Sequence, residues 1–129
     1  MPPTRQDPTR RGWTHASELA RVIIDTSPFA AMAFDVDGRI IFWSSGAERM
    51  FGWKAEELLG LPFPTQSIPE DEISSSRERI QRTIEGAVIS GERVRRLARD
   101  GRELILEIHG TALREESARY DYSAVARGV

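Results

Sequence analysis

Chemistry in a protein needs nucleophiles, acid–base groups or metal ligands in workable arrangements, and this chain offers few of them. It has two histidines, His15 and His109, and no cysteine. Neither histidine belongs to a metal-ligating pattern, so no metal site is expected. His15 reads as solvated, and His109, opposite Leu106 and Ile108 in strand phase, reads as a residue of an outer sheet face. Ser44, Ser45 and Ser74 to Ser76 have no histidine or acid placed by sequence to activate them, and helix capping explains them. The pairs Glu56-Glu57 and Glu115-Glu116 read as solvated charges and not as a general acid and base. Catalysis by this domain is therefore not expected. What remains is "FWSSGAERMFGW" at 42–53, where Phe42, Trp43, Phe51 and Trp53 place four rings within twelve residues. Such a cluster either fills a core or touches a ligand.

The elements that hold those rings follow from periodicity. A chain of 129 residues, 40 % hydrophobic and 29 % charged, is the size of one globular domain. No apolar run reaches the roughly 20 residues of a membrane helix. A formal charge of −2, with basic residues that alternate with acids, gives no field for a polyanion, so neither nucleic acid nor membrane is an expected partner. The absence of cysteine removes disulfides and thiolate sites and fits a reducing, cytoplasmic setting. Residues 1–13 read as a flexible lead-in and 14–129 as a single domain. "THASELARVIIDTSP" spaces Ala16, Leu19, Ala20 and Ile23 as an amphipathic helix over about 15–25, ended by Pro28.

Two β-prone runs around Asp37-Gly38 predict a hairpin with strands at about 31–36 and 39–43. Alternation puts Ile40 and Phe42 on one face and Ile41 and Trp43 on the other, so both faces need cover. Ser45 with Glu48 predicts a capping box opening a short helix that stops at Gly52, and "KAEELL" a second that ends at Gly60. After a proline-broken connection, Ser75 with Glu78 predicts another capping box, and Ile73, Ile80, Ile84 and Val88 mark the apolar stripe of a longer helix. From residue 91 the period becomes two, with a hairpin at Asp100-Gly101 and Leu104, Leu106 and Ile108 on one face. "ARYDYSAVA" then aligns Tyr120, Tyr122, Ala124 and Ala126. Strands at both ends and helices between them give an α+β domain, one antiparallel sheet covered by helices on one face.

"SPFAAMAFDVDGRIIFWSSGAERMFGWKAEELLG" resembles the first half of a PAS (Per-Arnt-Sim) sensory domain, with its D-x-D-G-x-I, W-[NS]-x-x-A-E-x-[LM]-F-G-[YW] and E-E-L-L-G runs. "LARDGRELILEIHGTAL" and "DYSAVARGV" are similar to the family's later hairpin and last strand, so the resemblance covers residues 15 to 129. It implies a five-stranded antiparallel sheet with helices across one face, an N-terminal helix, and a small cavity between sheet and helices. The residues expected at the cavity are Ile80, Ile84, Val88, Leu104, Leu106 and Ile108, with Phe42 or Trp43 as further candidates. The resemblance also implies an ion pair between Glu57 and Arg99. Gly128 stands where the family usually has an Asp that passes the signal on, and the helix that normally follows is not in the sequence.

The cofactor remains unknown. The resemblance argues against a cysteine-linked flavin, because the helix region has no cysteine, and against haem with an axial histidine, because that position falls near Ser76. The function implied is a sensory module of a bacterial signalling protein of the histidine kinase or cyclic-dinucleotide enzyme class. It would bind a small ligand and relay the signal through its last strand and a homodimer interface to the output domain of a parent chain. The alternative is a ligand-free dimerisation or protein-interaction domain.

Overall fold

The computed structural model describes residues 18–114 and 120–129, and from 113 to 121 nothing beyond the backbone of the strand ends. The predicted lead-in, His15 and Glu115-Glu116 lie outside the described residues. Helix α1 occupies 18–26, followed by β1 (Ala30–Phe34) and β2 (Ile40–Trp43). Helices α2 (Ser45–Phe51), α3 (Ala55–Leu58) and α4 (Ile73–Ile84) come next, then β3 (Ile89–Leu97), β4 (Glu103–Arg114) and β5 (Tyr120–Gly128). The five strands form one antiparallel sheet in the order β2-β1-β5-β4-β3. The first and last strands are therefore neighbours at its centre. The predicted fold class is the one observed.

The β1–β2 and β3–β4 hairpins turn at glycines with positive φ, Gly38 at 84° and Gly101 at 87°, conformations that cost side-chain-bearing residues strain. Ala30, Met32 and Phe34 of β1, Leu106 of β4, and Tyr122 and Ala126 of β5 are buried in the core. Met32 pairs with Ala124 and Phe34 with Tyr122, and the Phe34 and Tyr122 rings stack with centroids 4.9 Å apart.

Strand β2 departs from simple alternation. Met32 pairs with Trp43 and Phe34 with Ile40, so the register shifts and Ile41 is the extra residue of a bulge. Its effect is to turn both Ile40 and Trp43 inward, at 1 % and 4 % exposure, while Ile41 points out at 48 %. Phe42, opposite Ala33, is not turned inward with Ile40 as alternation predicts.

Two of the predicted capping boxes are also displaced. Ser44, not Ser45, caps α2: its Oγ accepts from the Ala47 N–H at 3.1 Å and from the Ala31 N–H at 2.9 Å, so one hydroxyl serves helix and strand together. Glu48 instead accepts from the Ala55 N–H at 2.7 Å and ties α2 to α3. Helix α4 begins at Ile73, so Ser75 lies inside its first turn and donates to the Glu72 carbonyl. The helix stops at Ile84, and Gly86 at φ 108° carries the chain away.

Candidate functional site

Three of the four rings of the 42–53 stretch, Trp43, Phe51 and Trp53, belong to one core cluster, and Phe42 does not. Trp43 is a core residue: its Nε1 donates to the Trp53 carbonyl at 3.0 Å, and its ring lies 5.5 Å from Phe51 and 6.0 Å from Phe63. The buried NH is thus satisfied, as burial of an indole requires. Trp53 is buried under Arg99, whose guanidinium carbon sits 5.8 Å from the ring centroid. Phe51 reaches further inward and meets Phe63 edge-on at 5.5 Å.

Those two phenylalanines form part of the wall of a cavity of ≈ 360 Å³ between the inner sheet face and α4. The volume falls in the usual range for small-molecule sites, about 300–1,000 Å³. Of the residues expected there, Ile80, Leu106 and Ile108 line it. The other five do not. Phe42 and Trp43 are directed elsewhere by the bulge and by the Trp43 hydrogen bond. Ile84 and Leu104 are half-buried and pack on the core beside the cavity. Val88 is a correction: the helix ends four residues before it, so it leaves the apolar stripe and lies 72 % exposed.

Sequence reasoning missed the polar part of the wall. Helix α4 contributes Ser76, Arg79 and Thr83, and β3 contributes Arg96 two residues after the buried Val94. Arg96 is 8 % exposed. Its Nη1 donates to Glu72 Oε1 at 3.2 Å and to the Arg95 carbonyl at 2.7 Å. Burial first, and then the Arg79 cation, hold its pKa below the ordinary guanidinium value, with Glu72 opposing both. Arg79 donates through Nε to Glu92 at 3.0 Å, and Arg82 joins the same carboxylate at 3.1 Å. The hydrogen bonds from Arg82 and then Arg79 hold Glu92 below the usual carboxylate range. On the opposite wall, burial pushes the Tyr122 phenol up to about 12, with the Asp35 charge adding to it. The signal available in the sequence was strand phase: Val94 and Arg96 share a face, which sets an arginine on an apolar surface.

Glu57 and Arg99 are at salt-bridge distance, Nη1 to Oε1 at 3.1 Å, on a partly exposed surface. The Lys54 backbone N–H, more than Arg99, holds Glu57 below its ordinary pKa. His109 contacts Glu107 through Nε2 at 3.1 Å, and Arg127 donates to the same carboxylate at 3.0 Å. This cluster sits on the face away from Leu106. Among the described residues no group of three or more His, Asp or Glu is arranged to hold a metal, and no helix is long and apolar enough to cross a membrane.

The chain's likeness to known proteins rests on this architecture. The PAS domain of a protein from Colwellia psychrerythraea superposes with a TM-score of 0.74 at 21 % identity, over 88 % of this chain and 97 % of that one. The PAS domain of an HTR-like protein from Haloarcula marismortui gives 0.71 at 16 % identity, over 95 % and 98 %. A PAS domain from a two-component sensor histidine kinase gives 0.69 at 18 % identity, over 90 % and 98 %. No curated relative matches. The family model described as the PAS fold matches residues 18–127. Central β1–β5 pairing, helices on one face and a match across nearly the whole chain make it a member of the PAS-fold family.

Proposed function

We propose that this PAS domain is the sensory module of a signalling protein and that its cavity binds a small ligand. The observation that carries the reading is the cavity itself, walled by Phe51, Phe63, Ile80 and Leu106 and spanning sheet and helix. A ligand there touches α4 and the inner face of β4 and β5 at once. It can therefore shift the relation of helix to sheet by its differential affinity for two states, without any reaction. Strand β5 is the output route, because it pairs with both β1 and β4 and ends the domain. The similarity to a domain of a two-component sensor histidine kinase supports an output domain of that kind in a parent chain.

A second reading has its own observation. Leu19, Val22 and Ile23 of α1 are 51 %, 59 % and 65 % exposed, and Ile41 is 48 % exposed on the outer sheet face. Apolar surface of this kind marks an interaction site, and favours a homodimer through α1 whether or not the cavity is used.

Native mass spectrometry of the purified domain, compared with its denatured mass, separates the readings. A ligand-sensing domain carries an added small-molecule mass that disappears on denaturation and is abolished by Ile80→Trp, which fills the cavity. An unliganded domain that remains so in extracts and defined ligand mixtures leaves the interaction reading.

A further inference from the structure

Three arginines line the cavity, the exposed Arg77 and the largely buried Arg79 and Arg96, and the last two have more donors than acceptors to meet them. Arg79 and Arg96 have side-chain exposures of 12 % and 10 %. Within the described residues Arg79 donates only through Nε, to Glu92, and Arg96 only through Nη1. Both Nη groups of Arg79, and Nε and Nη2 of Arg96, have no hydrogen-bond partner there. The acids that accompany them are shared. Glu92 also accepts two bonds from Arg82, and Glu72 also accepts from the Arg95 N–H at 3.1 Å. The other nearby acids, Asp37 in the wall itself and Asp71, Glu78 and Glu103, have side chains 59 %, 69 %, 70 % and 57 % exposed, where water screens them. The field inside is therefore positive.

Ser76, one helical turn before Arg79, is 8 % exposed, lines the same cavity and makes no hydrogen bond within the described residues. These donors are free to meet a ligand's acceptor atoms. A guanidinium edge fits a carboxylate with two parallel bonds, and such charge-assisted bonds are roughly twice as strong as neutral ones. Much of the remaining wall is apolar, with Phe51, Phe63, Ile80 and Leu106 in it, and its other polar residues include Asp37, Thr65, Thr83 and Tyr122. At about 30 Å³ per liquid water, the ≈ 360 Å³ volume matches a body of medium size.

We propose that the ligand is a small monocarboxylic acid with an apolar body, its carboxylate held by Arg96 and Arg79 with Ser76, and its body against Ile80 and Leu106. This identification rests on the ligand-sensing reading given above. A monoanion matches the surplus charge, whereas a phosphate dianion would set a second charge among apolar side chains.

Isothermal titration calorimetry of the whole chain with n-decanoate and with neutral n-decanol tests it. The expected result is 1:1 binding, with decanoate tighter than decanol by about tenfold or more. Arg96→Met should remove that preference while decanol still binds, which also shows that the variant is folded with its cavity intact. Arg96→Lys should restore part of the preference. Arg79→Met, which leaves the Arg96–Glu72 pair in place, should lower it independently. Equal affinity for the two probes, or a preference unchanged in both Met variants, overturns the carboxylate proposal and leaves the sensing reading standing. Binding of neither probe at any chain length from hexanoate to tetradecanoate and the matching alcohols overturns both.

Discussion

Gly46 sits where α2 passes the end of the α1–β1 connection, and a Cβ there would lie 2.0 Å from the Phe29 carbonyl oxygen. Backbone on both sides must move to admit even one methyl group. Gly46→Ala should therefore destabilise the domain by about 1–3 kcal/mol, read as a lower urea midpoint with an unchanged slope. Tyr122 makes a prediction in pH. Its phenol is raised from 10 to about 12 by burial and by Asp35, so the folded state holds the proton more tightly than the unfolded one. That contribution is complete below about pH 10 and is lost as pH rises toward about 12. Thermal midpoints should fall over this window in the parent, and fall less in Tyr122→Phe.

Among the elements, the pair Glu57–Arg99 links α3 to the β3–β4 connection. Glu57 is held below the ordinary carboxylate pKa, first by the Lys54 backbone N–H and then by Arg99, so its contribution is present above the ordinary value and lost as pH falls through the lower folded one. Glu57→Gln should flatten that part of the acid limb of a stability profile while leaving neutral-pH binding at the cavity unchanged. Periodicity made most elements legible. The glycine turns at 38 and 101, the helix stop at Gly52 and the period-two strands all follow from local chemistry. What local patterns could not supply was decided by contacts distant in sequence. The bulge at Ile41 reverses the phase of β2 because Trp43 must reach the Trp53 carbonyl and the Phe51 ring. Ser44 displaces Ser45 as the cap because its hydroxyl also meets Ala31. Helix α4 ends at Ile84 because Gly86 turns the chain, which removes Val88 from the stripe. For the site, Ile80, Leu106 and Ile108 were readable as apolar positions facing inward. Arg79 and Arg96 were not, because an Arg-rich segment reads as solvated unless the strand phase is followed through it.

For the whole molecule, α1 presents its apolar residues to solvent, so association is expected to bury them. Val22→Glu with Ile23→Glu should shift a dimer to monomer in sedimentation velocity at high micromolar concentration, with the thermal midpoint little changed by local effects. A parent chain that sediments as a monomer throughout that range would remove α1 as an interface. The claim on which the functional account depends is that the space between sheet and α4 admits a small molecule. Xenon tests this at the apolar part of the cavity, beside Phe51, Ile80 and Leu106, without regard to the natural ligand's identity. The domain, unfolded and refolded free of small molecules, should show saturable methyl shifts at Ile80, Leu106 and Ile108 under xenon pressure, and Ile80→Trp should abolish them while melting close to the parent. Absent shifts, together with an Ile80→Trp variant destabilised as an overpacked core would be, would contradict the account.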